Sequence, residues 1–162
     1  MSDVVIRPAR GEADVELLRR MLCWAADWEA ADLDESALER SEVARYVEGW
    51  GRPGDAAVVA EKAGGELVGA AWFRLFEASE PGYGFVDERT PELGIGVEPG
   101  HRGEGIGRAL LEALAASARE AGYFALSLSV EEENPAVRLY ERVGFERHAH
   151  GDGVWTLVLT LA

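Results

Sequence analysis

The sequence predicts an α+β fold in three layers, α/β/α, with helices on both sides of a mixed, mostly antiparallel sheet of about six to seven strands. Three observations carry this. Apolar runs meet at Ala63-Gly64-Gly65 and again at Gly151-Asp152-Gly153, two short glycine turns of the kind that join antiparallel strands. Between them, an apolar run over 91–97 leads through a glycine loop and a helical pattern to an alternating run over 125–130. A strand, a crossover helix and a second strand form a right-handed parallel unit. At 162 residues the chain reads as one domain, 1–162, long enough to bury a core.

The elements follow in order. Val4, Val5 and Ile6 form a short strand closed by Arg7 and Pro8. From Glu12 to about Glu29, Val15, Leu18, Leu22 and Ala25 share one helical stripe, and Leu17, Met21, Trp24 and Trp28 share its neighbour. After an interruption over 31–36, Asp34 or Ser36 caps a second predicted helix that runs to about Trp50, where Gly51-Arg52-Pro53-Gly54 stops it. The strands 56–61 and 66–76 form the first hairpin. Residues 77–90 are a polar loop punctuated by glycine and proline, and loops of that length are often functional. Beyond the parallel unit, Asn134 at the N-cap and Pro135 at the first position open a helix that Gly144 ends. Glu146 to His150 and Val154 to Leu161 form the last hairpin.

The crossover begins at His101-Arg102-Gly103-Glu104-Gly105-Ile106-Gly107, between a strand and the apolar stripe of Ala109, Leu110, Leu111, Ala113, Leu114 and Ala118. The first amides of a helix have no partner within it, and glycines let an anion approach them closely. This is an anion cradle, and phosphate is the first ligand to test. Arg102 and Arg108 would add charge-assisted bonds. Two common phosphate loops are excluded. No GxxxxGK[ST] occurs, and a GxGxxG begun at Gly103 or Gly105 meets Arg108 or Leu110 where its third glycine belongs.

What stands instead is Arg-x-x-Gly-x-Gly at Arg102, Gly105 and Gly107, within Val97-Glu98-Pro99-Gly100-His101-Arg102 and its continuation. This resembles the acyl-CoA pyrophosphate motif of the GNAT superfamily of N-acetyltransferases. Asn134 to Phe145 resembles that superfamily's second motif, Asn-x-x-Ala-x-x-x-Tyr-x-x-x-Gly-Phe, with Ala136 one position earlier than usual. The likeness is strong over 91–145 and elsewhere rests on the pattern of elements. It implies a central parallel pair splayed around acetyl-CoA, used as co-substrate. Ile95, Gly96 and Val97 would supply main chain to the pantetheine arm and polarise the thioester carbonyl. Arg102, Gly103, Glu104, Gly105, Ile106, Gly107, Arg108 and Arg142 would seat the phosphates. Asn134 and Leu139 would line the pantetheine region, and Tyr140 would meet the departing thiolate.

Direct attack by an amine on the thioester requires a free lone pair. A lysine-like amine, with a pKa of about 10.4, is protonated at neutral pH, so a base or ordered water must receive a proton. Glu92 is the first candidate, with Glu88 and Asp87 behind it. Trp24, Trp28 and Trp50 on the early helices, and Tyr83 and Phe85 on the loop before Pro91, are candidates for contact with the acceptor. The runner-up is a non-catalytic module that binds or senses acyl-CoA, against which Tyr140 and a plausible base argue. His148 and His150 alternate on a strand without a third ligand, so no metal is expected.

Bulk properties bound the setting. A formal net charge of −14 argues against nucleic-acid binding and favours an amine acceptor that is cationic. The single Cys23 allows no internal disulfide, which fits a cytoplasmic compartment. No basic-then-apolar leader and no run of spanning length is seen, so no membrane association is expected. Monomer and homodimer are both compatible with the pattern.

Overall fold

A computed structural model describes residues 3–161. Seven strands form one sheet in the order β1 (Val4–Pro8), β2 (Ala56–Lys62), β3 (Leu67–Arg74), β4 (Glu92–Val97), β5 (Ala125–Glu131), β7 (Val154–Thr160), β6 (Glu146–Gly151). Every neighbouring pair is antiparallel except β4 and β5. Both expected hairpins form. At the second, Asp152 and Gly153 both take positive φ, the conformation a two-residue turn needs to match strand twist.

Helices cover both faces. On one side α1 (Gly11–Ala26) packs Leu17, Leu18, Met21 and Leu22 against Val59, Ala70 and Trp72. On the other, α3 (Ile106–Glu120) packs Leu110, Leu111, Leu114 and Ala118 against Val58, Ala60, Ala71 and Phe73. Successive strand residues point to opposite faces, so β3, covered twice, buries seven of its eight residues and reads as an unbroken apolar run. Gly96 lets α1 cross β4 closely: a Cβ there would stand 2.6 Å from the Met21 carbonyl oxygen. Gly94 makes room for the Trp72 ring in the same way. Cys23 is buried in this layer, and burial pushes its thiol pKa up, which fits a packing role.

The region before β2 differs from expectation. In place of one helix to Trp50 there is a 3₁₀ turn, Glu35–Glu39, a single α-turn, α2 (Ser41–Ala44), and a run of turns. The Asp34 carboxylate does cap the first turn, accepting the Ser36 N–H at 3.0 Å. Arg40 is then extended, with ψ 121°, which breaks the helix. The carbonyls of Arg45 and Glu48 turn inward to the Arg74 guanidinium at 2.9 and 2.7 Å. That guanidinium is buried and forms a two-pronged pair with Asp55, Nε to Oδ1 at 3.0 Å and Nη2 to Oδ2 at 2.7 Å. Trp50 lies over Arg74, its ring centroid 5.3 Å from the guanidinium carbon.

Asp55→Ala would leave Arg74 buried and uncompensated. Removing one partner of a buried pair costs about 3–5 kcal/mol. Urea unfolding should show a loss of that order, and a loss below about 1 kcal/mol would mean that the pair acts like a surface bridge.

Candidate functional site

The site is built where the sheet opens. β4 and β5 are paired at one register position, Glu92 with Ser127, supported by the Ser127 N–H donating to the Pro91 carbonyl at 3.0 Å. Beyond it the strands part. Leu93 to Val97 on one side and Leu128 to Glu131 on the other wall a cleft of about 980 Å³. Ile95, Gly96 and Val97 thus line it as expected, on a strand edge that no other strand covers.

At one end of the cleft lies the glycine loop. Gly105 is the N-cap of α3 in a left-handed conformation, φ 84°, and Gly103 has φ 83°. The first backbone bond into this turn is Ala109 N–H to the Gly105 carbonyl. Among the described residues, no amide from 103 to 108 donates to another backbone group. A Cβ on Gly105 would meet nothing within 4 Å, so the glycine serves backbone conformation and open approach. Gly107 is different, because a Cβ there would lie 3.2 Å from Leu139 on α4 (Ala136–Val143). Ile106 is buried and anchors the turn in the core.

Arg102, Arg108 and Arg142 line the cleft together with His101 and Arg40, against one acidic lining residue, Glu131. A strongly acidic chain therefore presents a cationic cleft. The Arg102 guanidinium carbon sits 5.7 Å over the Trp24 ring, and its Nε donates to the Val97 carbonyl at 3.3 Å. Glu104 departs from expectation. It stands off the cleft wall, with its carboxylate 3.5 Å from His101 Nδ1, because the loop's conformation turns that side chain aside. The open amides, the glycine approach and the three arginines fit a pyrophosphate.

On the opposite wall, α4 starts one residue later than expected, with Pro135 at its N-cap, and Asn134 lies just before it, its Oδ1 accepting the Ala136 N–H at 2.9 Å. It lines the cleft with Leu139 and Tyr140. Tyr140 packs edge-on to Phe145, ring centroids 6.0 Å apart. Burial alone pushes its phenol pKa up to about 12, so it remains a hydrogen-bond donor at neutral pH.

The other end is closed by α1 and the loop before β4. Trp24, Trp28 and Tyr83 line the cleft. Trp28 Nε1 donates to Glu131 Oε2 at 2.9 Å, linking the segment after α1 to β5. Phe85 does not reach the cleft: it packs against the α1-side core and borders a smaller cavity with Asp87 and Glu88. Those two acids serve the loop, Asp87 accepting the Arg89 N–H at 2.8 Å and Glu88 the Ala78 N–H at 2.9 Å. Trp50, drawn to Arg74, is also outside.

Glu92 lies at the point where the strands separate, but it is not on the cleft wall. It is 1 % exposed. Its Oε2 accepts the Tyr46 hydroxyl and the Gly84 N–H, the latter at 3.0 Å, and the Tyr46 oxygen in turn accepts the Tyr83 N–H at 2.9 Å. Burial raises the carboxyl pKa to about 7, against the Tyr46 and Gly84 hydrogen bonds that lower it. Gly84 lies on the backbone of β5, where a Cβ would come within 2.6 Å of the Leu128 carbonyl carbon, and Gly82 lies against the Glu92 carboxyl. Tyr46, Gly82 and Gly84 are the residues that sequence reasoning missed. The two glycines flanking Tyr83 were the available signal.

The family model of the Acetyltransferase (GNAT) family matches residues 18–145. Mycothiol acetyltransferase of Geodermatophilus obscurus is 39% identical over 87 residues, covering 53% of this chain and 27% of that protein. Streptothricin acetyltransferase of Streptomyces lavendulae is 41% identical over 88 residues, covering 54% and 42%. The chain thus spans less than half the length of these curated relatives. Among solved structures, ribosomal-protein-alanine N-acetyltransferase of Brucella melitensis is 29% identical with TM-score 0.70, covering 97% of this chain and 99% of that one. The protein yncA of Salmonella typhimurium, solved with its cofactor acetyl-CoA, is 26% identical with TM-score 0.69, covering 99% and 95%. The splayed parallel pair, the open glycine loop and a match over most of its length agree: the chain belongs to the GNAT acetyltransferase family.

Proposed function

We propose that this protein is an N-acetyltransferase that moves the acetyl group of acetyl-CoA to an amine of a small molecule or peptide by direct attack in a ternary complex. The observation that carries it is the parting of β4 and β5 beyond Glu92, with unbonded amides at one end and a buried proton acceptor at the other. The glycine loop with Arg102, Arg108 and Arg142 holds the pyrophosphate. The open edge of β4 at Ile95 to Val97 meets the pantetheine arm and polarises the thioester carbonyl. Tyr140 donates a hydrogen bond to the leaving thiolate. A phenol at about 12 facing a thiol near 8.5 stabilises the anion without giving up its proton.

The acceptor amine enters past Trp24, Trp28 and Tyr83 as a cation, loses one proton before attack to free its lone pair, and loses a second as the amide forms. A polycation is not favoured, because the acidic excess lies outside the cleft and its wall carries Arg40 with Glu131 as the lone acid. Among the described residues no helix is long and apolar enough to cross a membrane. The buried, unpaired Cys23 supports a reducing, cytoplasmic setting.

Two variants test the donor side. Gly105→Val forces a β-branched residue to φ 84° and should weaken acetyl-CoA binding by about 5- to 150-fold by calorimetry, from a strain of about 1–3 kcal/mol. Undiminished affinity would move the pyrophosphate elsewhere. Tyr140→Phe should lower kcat about 100-fold in a coenzyme A release assay while leaving the acetyl-CoA Kd within about twofold. Unchanged kcat would remove Tyr140 from the chemistry.

A further inference from the structure

Behind the acceptor end of the cleft three segments converge on one carboxyl. Tyr46, in the turns after α2, brings its hydroxyl to Glu92 Oε2. The loop brings the Gly84 N–H to the same oxygen and the Tyr83 N–H to the tyrosine oxygen. Both side chains are buried, Glu92 at 1 % exposure and Tyr46 at 6 %, yet Tyr46 lines the cleft and Glu92 does not. Gly82 seals the remaining carboxyl oxygen, Oε1, which has no hydrogen-bond partner among the described residues. An amine in the cleft therefore meets Tyr46 before it can meet Glu92.

We propose that Tyr46 is a catalytic residue of the acetyl transfer, passing the acceptor's proton to Glu92. This rests on the acetyltransferase reading and adds a carrier to it. The ammonium first releases one proton to solvent, which frees its lone pair; as the neutral nitrogen bonds to the thioester carbonyl carbon, a second N–H proton moves to the Tyr46 oxygen and the Tyr46 proton moves to Glu92 Oε2. The carbon–sulfur bond then breaks, and the electron pair leaves on the thiolate, which Tyr140 hydrogen-bonds. The ring of Tyr46 ends neutral, as it began, and Glu92 ends as the acid. After the amide departs, the proton returns to solvent by the same two steps reversed.

The chemistry of the pair suits this sequence. Burial and the adjacent carboxyl hold the Tyr46 phenol well above its ordinary range, so a free phenolate is not populated and the two transfers must be coupled. Glu92, raised to about 7, can hold a proton at neutral pH where an ordinary glutamate near 4.3 would release it. Arg74, its register partner on β3, is occupied by Asp55, and Ser127 faces it across the parallel pair. The groups that reach the carboxyl are the Tyr46 hydroxyl and the Gly84 amide.

The test uses Glu92→Gln, Tyr46→Phe and the double variant in the coenzyme A release assay, with the amine that releases most among monoamines, polyamines, amino acids and peptides. Glutamine keeps an oxygen to accept both hydrogen bonds but cannot accept a proton. Each single variant should lower kcat about 100-fold with acetyl-CoA affinity unchanged, and the double should be no more than about threefold worse than either. The kcat of the unaltered protein should rise with pH through about 7, as Glu92 loses its proton, and that limb should be absent from both variants. If Tyr46→Phe fails to fold, the Glu92→Gln rate and pH profile decide alone. A Glu92→Gln kcat within about threefold of the original, or a limb near pH 7 that survives in the variants, overturns the relay while leaving the acetyltransferase reading intact. Acetyl-CoA binding without release to any amine overturns both.

Discussion

Two parallel strands that share one paired position and then separate leave facing edges of backbone donors and acceptors without strand partners. In a closed sheet such an opening would be a defect. Here the opening is held from outside: Gly96 seats α1 on β4 on one face, and α3 bridges β2, β3 and β4 on the other. On the far side β5, β7 and β6 form a continuous antiparallel block, and its Leu126, Leu157 and Leu159 share one apolar cluster with α3, β2 and β3. The two halves are joined beneath the gap by this shared core, with α3 touching β2, β3, β4 and β5, so the strands can part above it. A ligand with amide groups of its own, such as a pantetheine arm, can then take the place of the missing pairing.

The charge distribution follows the same division. Net charge describes solubility and long-range repulsion, and on that measure a chain at −14 should reject a polyanion. The local field decides binding, and the cleft concentrates arginines beside unbonded helix amides with Glu131 as the one acid on its wall. Glu112 and Glu104 sit near the loop but off the cleft wall, Glu112 beside Arg108 at 3.6 Å and Glu104 beside His101 at 3.5 Å. Bulk charge averages over a surface of which the cleft is a small part, so the residues of the cleft wall, and not the total of −14, set what enters it.

How much was legible in the sequence tracks how local each signal is. The glycine loop, the Gly144 stop and both hairpins are set by residues within a few positions of one another, and each forms where expected, while the start of α4 shifts by one residue to a Pro135 N-cap. The helix expected to reach Trp50 fails for a non-local reason. Its apolar spacing is present, but Arg74, a strand away and paired with Asp55, draws off the Arg45 and Glu48 carbonyls that a helix would keep. That same diversion carries Trp50 away from the cleft and leaves the chain in turns at Tyr46, the residue that reaches Glu92. Tyr46 was invisible because its role depends on a glutamate 46 positions on. The rings of Tyr83 and Phe85 stand out in the sequence, whereas Gly82 and Gly84 beside and between them fix the loop against Glu92 and β5.

Glu92 then joins the fold and the chemistry in one group, and the two make opposite demands. Its contacts stitch the Tyr46 segment and the 82–84 loop to the root of β4, which a hydrogen-bonded neutral side chain would also do. Burial, however, raises its folded pKa from 4.5 to about 7. For an acid raised on folding, the native state binds more protons than the unfolded state between those two values, so stability falls as pH rises through that window. Near neutral pH the carboxyl is therefore a net cost to the fold, and its orphaned Oε1 points the same way. An amide would remove that cost and keep the stitching. What it would not keep is a site that can take up and release a proton at physiological pH, which is the property that direct amine attack requires.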